Sequence, residues 1–485
     1  MITVNNTIEK AKRPVTVLQF GEGNFLRAFV DQMIDVANEK GLFNGSVQIV
    51  KPISFGSVDA LNAQDCVYTV MLRGKMDGAT FVEKRVITSI AGATDPFADY
   101  EAYAAFAQSS ELRFLVSNTT EAGIVYDECD DINLTPPKSF PGKLTKLLYE
   151  RFKFFNGALD RGLIILPVEL IEDNGKQLLE CCRKLVALWG LPAEFEDWLV
   201  RANIFCNTLV DRIVTGFPKD EIDDIEKELG YKDGQLVVGE PFALWVIECS
   251  KPDVVAKELP LDKAGMPVIF TDNIVPFRER KVRVLNGAHT SSVLAAYLCG
   301  LDYVGDMMKD KSMRAFLNAA VFSEIVPMVP LPESDVKAFA DSVMERFENP
   351  FIKHSLLAIS LNSVSKYKAR ILPTVLDTYS KTGSLPKYLC FSLAALMAFY
   401  SGEKGDGKLV GNRDGAPYNI VDDAPVMEFF AEHKDMEAGE FVTALLKRED
   451  FWGEDLTKIN GFADAVSGAL QSIRDNGMRA AVESL

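Results

Sequence analysis

The sequence predicts an α/β fold: a Rossmann-like, doubly wound N-terminal domain followed by a mostly α-helical C-terminal domain. Three observations carry this. Strand and helix signals alternate through the first half of the chain. A Gly-x-Gly turn stands directly after the first apolar run. Past Pro276 the β-branched runs thin out and apolar residues recur at helical spacing. The length of 485 residues also exceeds what one ordinary core supports, so two or three domains are expected.

Taken in order, Val15–Phe20 is a short apolar, β-branched run that Gly21-Glu22-Gly23-Asn24 breaks. Phe25, Ala28, Phe29, Met33, Ile34 and Val36 then return at the spacing of one helix face. Further strands are expected at Val47–Val50, Tyr68–Leu72, Arg113–Ser117 and Leu163–Val168, with helices such as Glu101–Ala107 and Gly142–Phe155 between them. Asp272–Pro276 reads as the hinge. The division is therefore residues 1–275 for a dinucleotide-binding domain and 276–485 for a helical substrate and catalytic domain. In the second part, helices are expected at Ala288–Cys299, Glu333–Phe347, Pro386–Tyr400 and Ala438–Leu446, among others, while glycine-rich Ser401–Asn419 reads as a surface loop.

The formal charge of −17 argues against nucleic acid or an anionic membrane as a partner, and any anionic substrate must be held by a local basic cluster. No apolar stretch approaches the roughly 20 residues that span a bilayer. The eight cysteines are scattered without a Cys-x-x-Cys pair, as expected of buried, reduced thiols in a cytoplasmic protein.

Gly21-x-Gly23-x-x-x-Arg27 sits where a dinucleotide site needs it. One glycine permits the tight turn, the next lets backbone approach a pyrophosphate, and the helix start supplies N–H donors. Leu26 replaces the third glycine, with Arg27 as a substitute phosphate partner. Gly21, Gly23, Asn24, Phe25 and Arg27 are the candidate cofactor residues, joined by Thr119 and Thr120 in Ser117-Asn118-Thr119-Thr120-Glu121 after a later strand. The second strand ends in Val50-Lys51-Pro52, with no acid for the ribose 2′-hydroxyl. Lys51 either tolerates a 2′-phosphate or simply points into solvent, so local residues leave NAD and NADP both open.

The segment Arg278–His289 carries Lys281-x-x-x-x-Asn286-x-x-His289. Asn286 and His289 share a helix face, and Lys281 is expected to enter from a preceding turn or strand. A lysine acid/base, an amide donor for a developing oxyanion and an imidazole suit carbonyl reduction. Arg278, Arg280 and Arg283 are expected to depress the lysine by repulsion.

With these residues in view, the chain resembles the mannitol dehydrogenase family of polyol-specific long-chain dehydrogenases. The likeness rests on LQFGEGNFLRAFVDQMID (18–35), SNTTEAGI (117–124), FCNTLVDRIVTGFP (205–218), RERKVRVLNGAHT (278–290) and NPFIKHSLLAISLNSVSKYKARILP (349–373). It implies NAD(H) as cofactor without a metal, Lys281 as the catalytic lysine, Asn286 as oxyanion donor and His289 as a substrate ligand. Asp211, within the family-specific Val210-Asp211-Arg212-Ile213, joins the substrate set. The family's second oxyanion asparagine falls here on Leu170, with Asn174 the nearest candidate, and its polyol arginine falls on Ala358. These departures point away from mannitol. For a sugar-acid ketone, Lys366, Lys368 and Arg370 offer carboxylate partners, and Lys366 and Arg370 are the candidates carried forward.

Alternatives remain at this level: a sister reductase of another ketose or ketose acid, a silent-redox epimerase holding NAD, or a noncatalytic nucleotide sensor. A zinc alcohol dehydrogenase is disfavoured, because the three histidines at 289, 354 and 433 lack metal-ligand spacing. Oligomeric state is not readable.

Overall fold

The computed structural model describes residues 1–120, 122–405 and 408–485, so Glu121, Asp406 and Gly407 lie outside the described residues. The chain divides into two compact units. The first comprises Met1–Gly74 with Thr80–Ile274, and the second Lys75–Ala79 with Val275–Leu485.

In the first unit β1 (Val15–Phe20) leads into the glycine turn, followed by α1 (Asn24–Arg27) and α2 (Val30–Glu39). Then come β2 (Ser46–Val50), β3 (Ile90–Thr94), β4 (Phe114–Ser117), α3 (Phe140–Phe154), β5 (Ile164–Pro167), α4 (Asn174–Leu188) and β6 (Ile204–Phe205). The six strands form one parallel sheet in the order β3-β2-β1-β4-β5-β6. Strand order reverses between β1 and β4, the point at which an open α/β sheet takes its ligand.

Both faces are covered, which is why these strands read as continuous apolar runs. Val17, Val47, Ile49, Val116 and Leu166 pack into one core with α2. Leu18, Phe20, Leu115 and Ile165 face a second core built on α3 and α4. Beside this sheet, β7 (Asn207–Asp211), β8 (Leu244–Glu248) and β9 (Val268–Thr271) form a three-stranded sheet, antiparallel then parallel.

One expected strand belongs elsewhere. Tyr68–Met76 lies in a separate four-stranded sheet with Val214–Gly216, Val237–Gly239 and Ala79–Ile87. The place beside β2 goes instead to β3, an Ile-Ala-Gly-Ala-Thr run whose small residues hide its strand character.

The second unit is mainly helical. Residues 275–298 form one continuous helix, α5, whose middle, Lys281–Asn286, is π-helical. The others used below are α6 (Glu333–Phe347), α7 (Ser363–Arg370), α8 (Lys387–Tyr400) and α9 (Phe462–Glu483). Eleven of the fourteen residues of α8 are buried, as its all-round apolar sequence requires. No helix among the described residues is long and apolar enough to cross a membrane.

The stretch Ser401–Asn419 corrects an expectation. It is not a loop but a three-stranded antiparallel meander of Glu403–Gly405, Lys408–Arg413 and Ala416–Ile420. Asp414 and Gly415, at φ of 53° and 87°, make the two-residue turn that joins the last two strands. Asp-Gly at such a turn is a hairpin signal.

Candidate active site

The glycine turn has the geometry of a dinucleotide cradle. Gly21 sits at φ 130°, and its N–H donates to the Val50 carbonyl at 3.1 Å. A Cβ on Gly21 would stand 3.0 Å from the Asn118 carbonyl oxygen and 3.1 Å from Leu26 Cδ1. Only glycine allows β1 and β4 to end so close together at the switch point. Gly23 caps α1 and is exposed together with Asn24, so the helix start is open to a ligand. Phe25 stacks on Phe29 at 4.9 Å and anchors the turn to the core.

Arg27 differs from its expected role as a phosphate partner. It is buried over the Tyr68 ring and donates to the carbonyls of Glu22 and Gln235 and to Asn24 Oδ1. The guanidinium therefore braces the turn from beneath. Thr119 gives both its N–H and its hydroxyl to Glu169 Oε1, and Ser117 bonds the other oxygen of that buried carboxyl. Thr120 stands exposed at φ 73°. Beyond it, Pro52, Ile53, Thr119, Thr120, Tyr126, Lys138 and neighbouring residues line an open cavity of about 780 Å³. Lys51 neither points into solvent nor offers free charge: it is buried and ion-paired with Asp95.

In the second unit, Lys281 enters from within α5 itself, at the first residue of the π-helical stretch, rather than from a preceding turn or strand. Asn286 is the last residue of that stretch. Hydrogen bonding from i to i+5 stacks residues five apart, so Lys281 and Asn286 share a face. His289, three residues on in regular α-helix, continues it. Asn286 is half-buried, and its side-chain amide makes no hydrogen bond among the described residues.

The arginines expected to depress Lys281 by repulsion are partly spent. Arg283 pairs with Asp377 and Glu279, and Arg280 lies against the Phe277 and Phe339 rings.

His289 is held between two rings, stacked on Phe347 and edge-on to His354 with centroids 5.2 Å apart. Its Nε2 is buried with no hydrogen-bond partner. Burial first, then the charges of His354, Arg346, Arg370 and Lys366, push the imidazole well below its usual pKa, so it is neutral at physiological pH.

Those neighbours form a basic cluster around the ring. Lys366 and Arg370, four apart on α7, share a face, and both are half-buried. Arg370 donates to Thr290 Oγ1 at 3.3 Å and Lys366 to the Ile359 carbonyl at 2.9 Å. Neither has a carboxylate partner among the described residues. Burial lowers the pKa of both, and for Lys366 the Arg370 charge adds to it. Lys368 leaves the group and lies against Gly453. Arg346, Phe347 and His354 were not among the sequence candidates. They adjoin or lie within the block at 349–373, but only the folded packing of α6 against α5 gives them a role.

The description "Mannitol dehydrogenase Rossmann domain" matches residues 15–263, and "Mannitol dehydrogenase C-terminal domain" matches residues 273–474. The chain belongs to the mannitol dehydrogenase family. Altronate oxidoreductase of Yersinia enterocolitica is 44% identical over 97% of this chain and 96% of its own length. The enzyme of the same name from Escherichia coli strain K12 is 44% identical over 98% of both. Among solved structures, Pseudomonas fluorescens mannitol 2-dehydrogenase, in ternary complex with NAD and D-mannitol, superposes with a TM-score of 0.66 at 24% identity, covering 98% of this chain and 95% of its own. A D-sorbitol dehydrogenase reaches 0.77 at 19% identity, covering 99% and 100%. These last two share the fold.

Within this mannitol dehydrogenase family member, two further candidates are placed by the structure. Asn174 is fully buried, and its Nδ2 donates to the carbonyls of Pro167, Glu169 and Thr208. Its Oδ1 accepts from the Gly175 and Thr208 N–H groups. Every polar atom of the Asn174 side chain is thus bonded within the protein, and Leu170, where the resemblance puts the family's second oxyanion asparagine, has an exposed side chain. Asp211 is buried at the end of β7, beside an Arg212 that donates to the Ala28, Pro241 and Phe242 carbonyls. Among the described residues no cluster of His, Cys, Asp and Glu is suited to a metal ion.

Proposed function

We propose that this protein catalyses the reversible, NAD(H)-dependent reduction of D-tagaturonate to D-altronate, as a cytoplasmic enzyme of hexuronate catabolism. The observation that carries the reading is the pair of half-buried cations, Lys366 and Arg370, standing without carboxylate partners beside His289. Such a pair suits the carboxylate of a sugar acid, which a neutral polyol lacks. The 44% identical altronate oxidoreductases of Yersinia enterocolitica and Escherichia coli support a reading of the same class.

The glycine cradle fits a dinucleotide, because Gly21 lets the ends of β1 and β4 approach at the switch point while the exposed helix start at Gly23 and Asn24 leaves N–H groups open to a pyrophosphate. NAD, when bound in reduced form, supplies the hydride for the carbonyl carbon. Lys281 gives a proton to the carbonyl oxygen during reduction and takes it back from the alcohol during oxidation. Asn286, its amide uncommitted, donates to that oxygen as negative charge develops. His289, held neutral and fixed by Phe347, presents Nε2 to a substrate hydroxyl. Arg370 and Lys366 hold the carboxylate and so set which end of the sugar meets Lys281.

Absorbance loss of NADH with tagaturonate tests the reading, with fructuronate and fructose in parallel. Fast oxidation with tagaturonate alone is expected. Preference for fructuronate would move the enzyme to the sister reductase, and no oxidation with any ketose would overturn the reductase.

A further inference from the structure

The end of β2 carries a lysine where NAD-binding folds usually place an acid for the ribose 2′-hydroxyl. A free lysine there would attract the 2′-phosphate of NADP. This one is not free. Lys51 is only 3% exposed, and its ammonium bonds the Gly56 carbonyl at 3.1 Å and pairs with Asp95, the residue that directly follows β3. The same ammonium lies over the Phe97 ring at 5.6 Å, and Lys143 approaches that ring at 5.1 Å. Asp95 also accepts from the Phe97 N–H at 2.9 Å, so its carboxylate is fixed in place.

The surroundings add negative charge. Glu22, within the glycine turn, brings Oε1 to 3.8 Å from where a Gly56 Cβ would stand. Asp127 and Glu128 line the cavity that begins at Pro52 and Ile53, immediately after Lys51. A dianionic phosphate entering this corner meets a lysine already neutralised and at least one carboxylate that has no reason to leave.

We propose that Asp95, by holding the Lys51 ammonium, makes this corner accept a ribose 2′-hydroxyl and reject a 2′-phosphate, and is thereby the residue that selects NAD over NADP. The inference rests on the nucleotide-site reading above and goes further by assigning cofactor choice to an acid on the neighbouring strand. Burial works to raise the Asp95 pKa, but the bonds from Lys51, Phe97 and Ala98 outweigh it and hold the carboxyl below its ordinary range, so the carboxylate stays ionised at neutral pH.

Calorimetric titration of the full-length protein with ADP-ribose and with its 2′-phosphorylated form tests this without turnover. The wild type is expected to prefer ADP-ribose by about a hundredfold, two salt-sensitive charges being lost or opposed. Asp95→Asn should cut that preference at least tenfold, chiefly by tightening the 2′-phosphorylated ligand, and the gain should fade with added salt. The doubly neutral Lys51→Met/Asp95→Asn replaces a buried pair by uncharged groups, a change proteins tolerate. It should lose part of the preference without the salt-sensitive gain, and it serves as the test if the single variant fails to fold. A folded Asp95→Asn, or a folded double variant, that keeps the wild-type ratio would overturn the assignment while leaving the nucleotide site intact. Failure of the wild type to bind either ligand would overturn both.

Discussion

His289 lies face to face with Phe347, ring centroids 4.3 Å apart and planes 21° from parallel. The stack fixes the imidazole, while burial first and then its basic neighbours keep it unprotonated. Its folded pKa lies below the unfolded value of about 6.5, so below that pH the unfolded chain binds the proton first. The stability contribution is complete above pH of about 6.5 and is lost as pH falls toward the folded value. Thermal unfolding between pH 7 and 5 should therefore fall more steeply in wild type than in His289→Gln. The slope difference approaches about 1.4 kcal/mol per pH unit. His354, lowered in the same direction by burial, leaves some slope in the variant. Equal slopes would show that His289 does not titrate as described.

Lys281→Ala should lower kcat by about 10²–10⁴-fold, the usual worth of a positioned acid/base. NADH affinity, read by fluorescence quenching, should stay near wild type. Lys281→Arg should not restore turnover, because a guanidinium does not release its proton in this pH range. Activity in either variant within tenfold of wild type would remove Lys281 from proton transfer.

Asn286→Ala removes the amide donor at the end of the π-helical stretch. Turnover should fall by about 10²–10³-fold with little change in KM, as for other oxyanion donors. A change seen only in KM would make Asn286 a binding group.

Arg370→Met should lower kcat/KM for the sugar acid by about 10–100-fold, the worth of one charge-assisted hydrogen bond. Any residual activity on a neutral ketose should not fall in step. Parallel losses on charged and neutral substrates would argue for a packing role.

Gly21→Ala forces a side chain into a φ of 130° and against the Asn118 carbonyl. About 1–3 kcal/mol of strain is expected, with NADH binding weakened more than tenfold. Unchanged NADH affinity would mean that the turn does not carry the pyrophosphate.

The strand, glycine turn and helix at residues 15–39 were legible because both periodicities are clean and the turn chemistry is local. The two helical stretches Glu333–Phe347 and Ala438–Leu446 were legible for the same reason. β3 was not, since Gly92 and its small neighbours carry no periodic signal. The Asp414-Gly415 hairpin was legible in principle, but glycine density argued for a loop. At the site, residue types were readable and their states were not. Lys51 reads as a cation whether or not Asp95 meets it, Asn174 reads as a spare amide until its six hydrogen bonds are seen, and Arg346 and His354 gain meaning only when α6 and the segment after it pack against α5.

The π-helical stretch of α5 has an evolutionary and engineering consequence. A turn closed from i to i+5 holds one residue more than an α-helical turn, so the sequence from 281 to 286 carries a phase offset within an otherwise regular helix. Winding the same six residues as ordinary α-helix, with none removed, would rotate Lys281 by about 100° relative to Asn286 and His289. Removing one residue, Val282 for example, would instead restore α-helical geometry with Lys281 four residues before Asn286 and seven before His289, spacings that keep one face. A one-residue deletion is therefore expected to leave the three side chains aligned, whereas substitutions that straighten the stretch at full length are expected to turn Lys281 away from the other two. The irregularity lets the helix carry one residue more without losing its register.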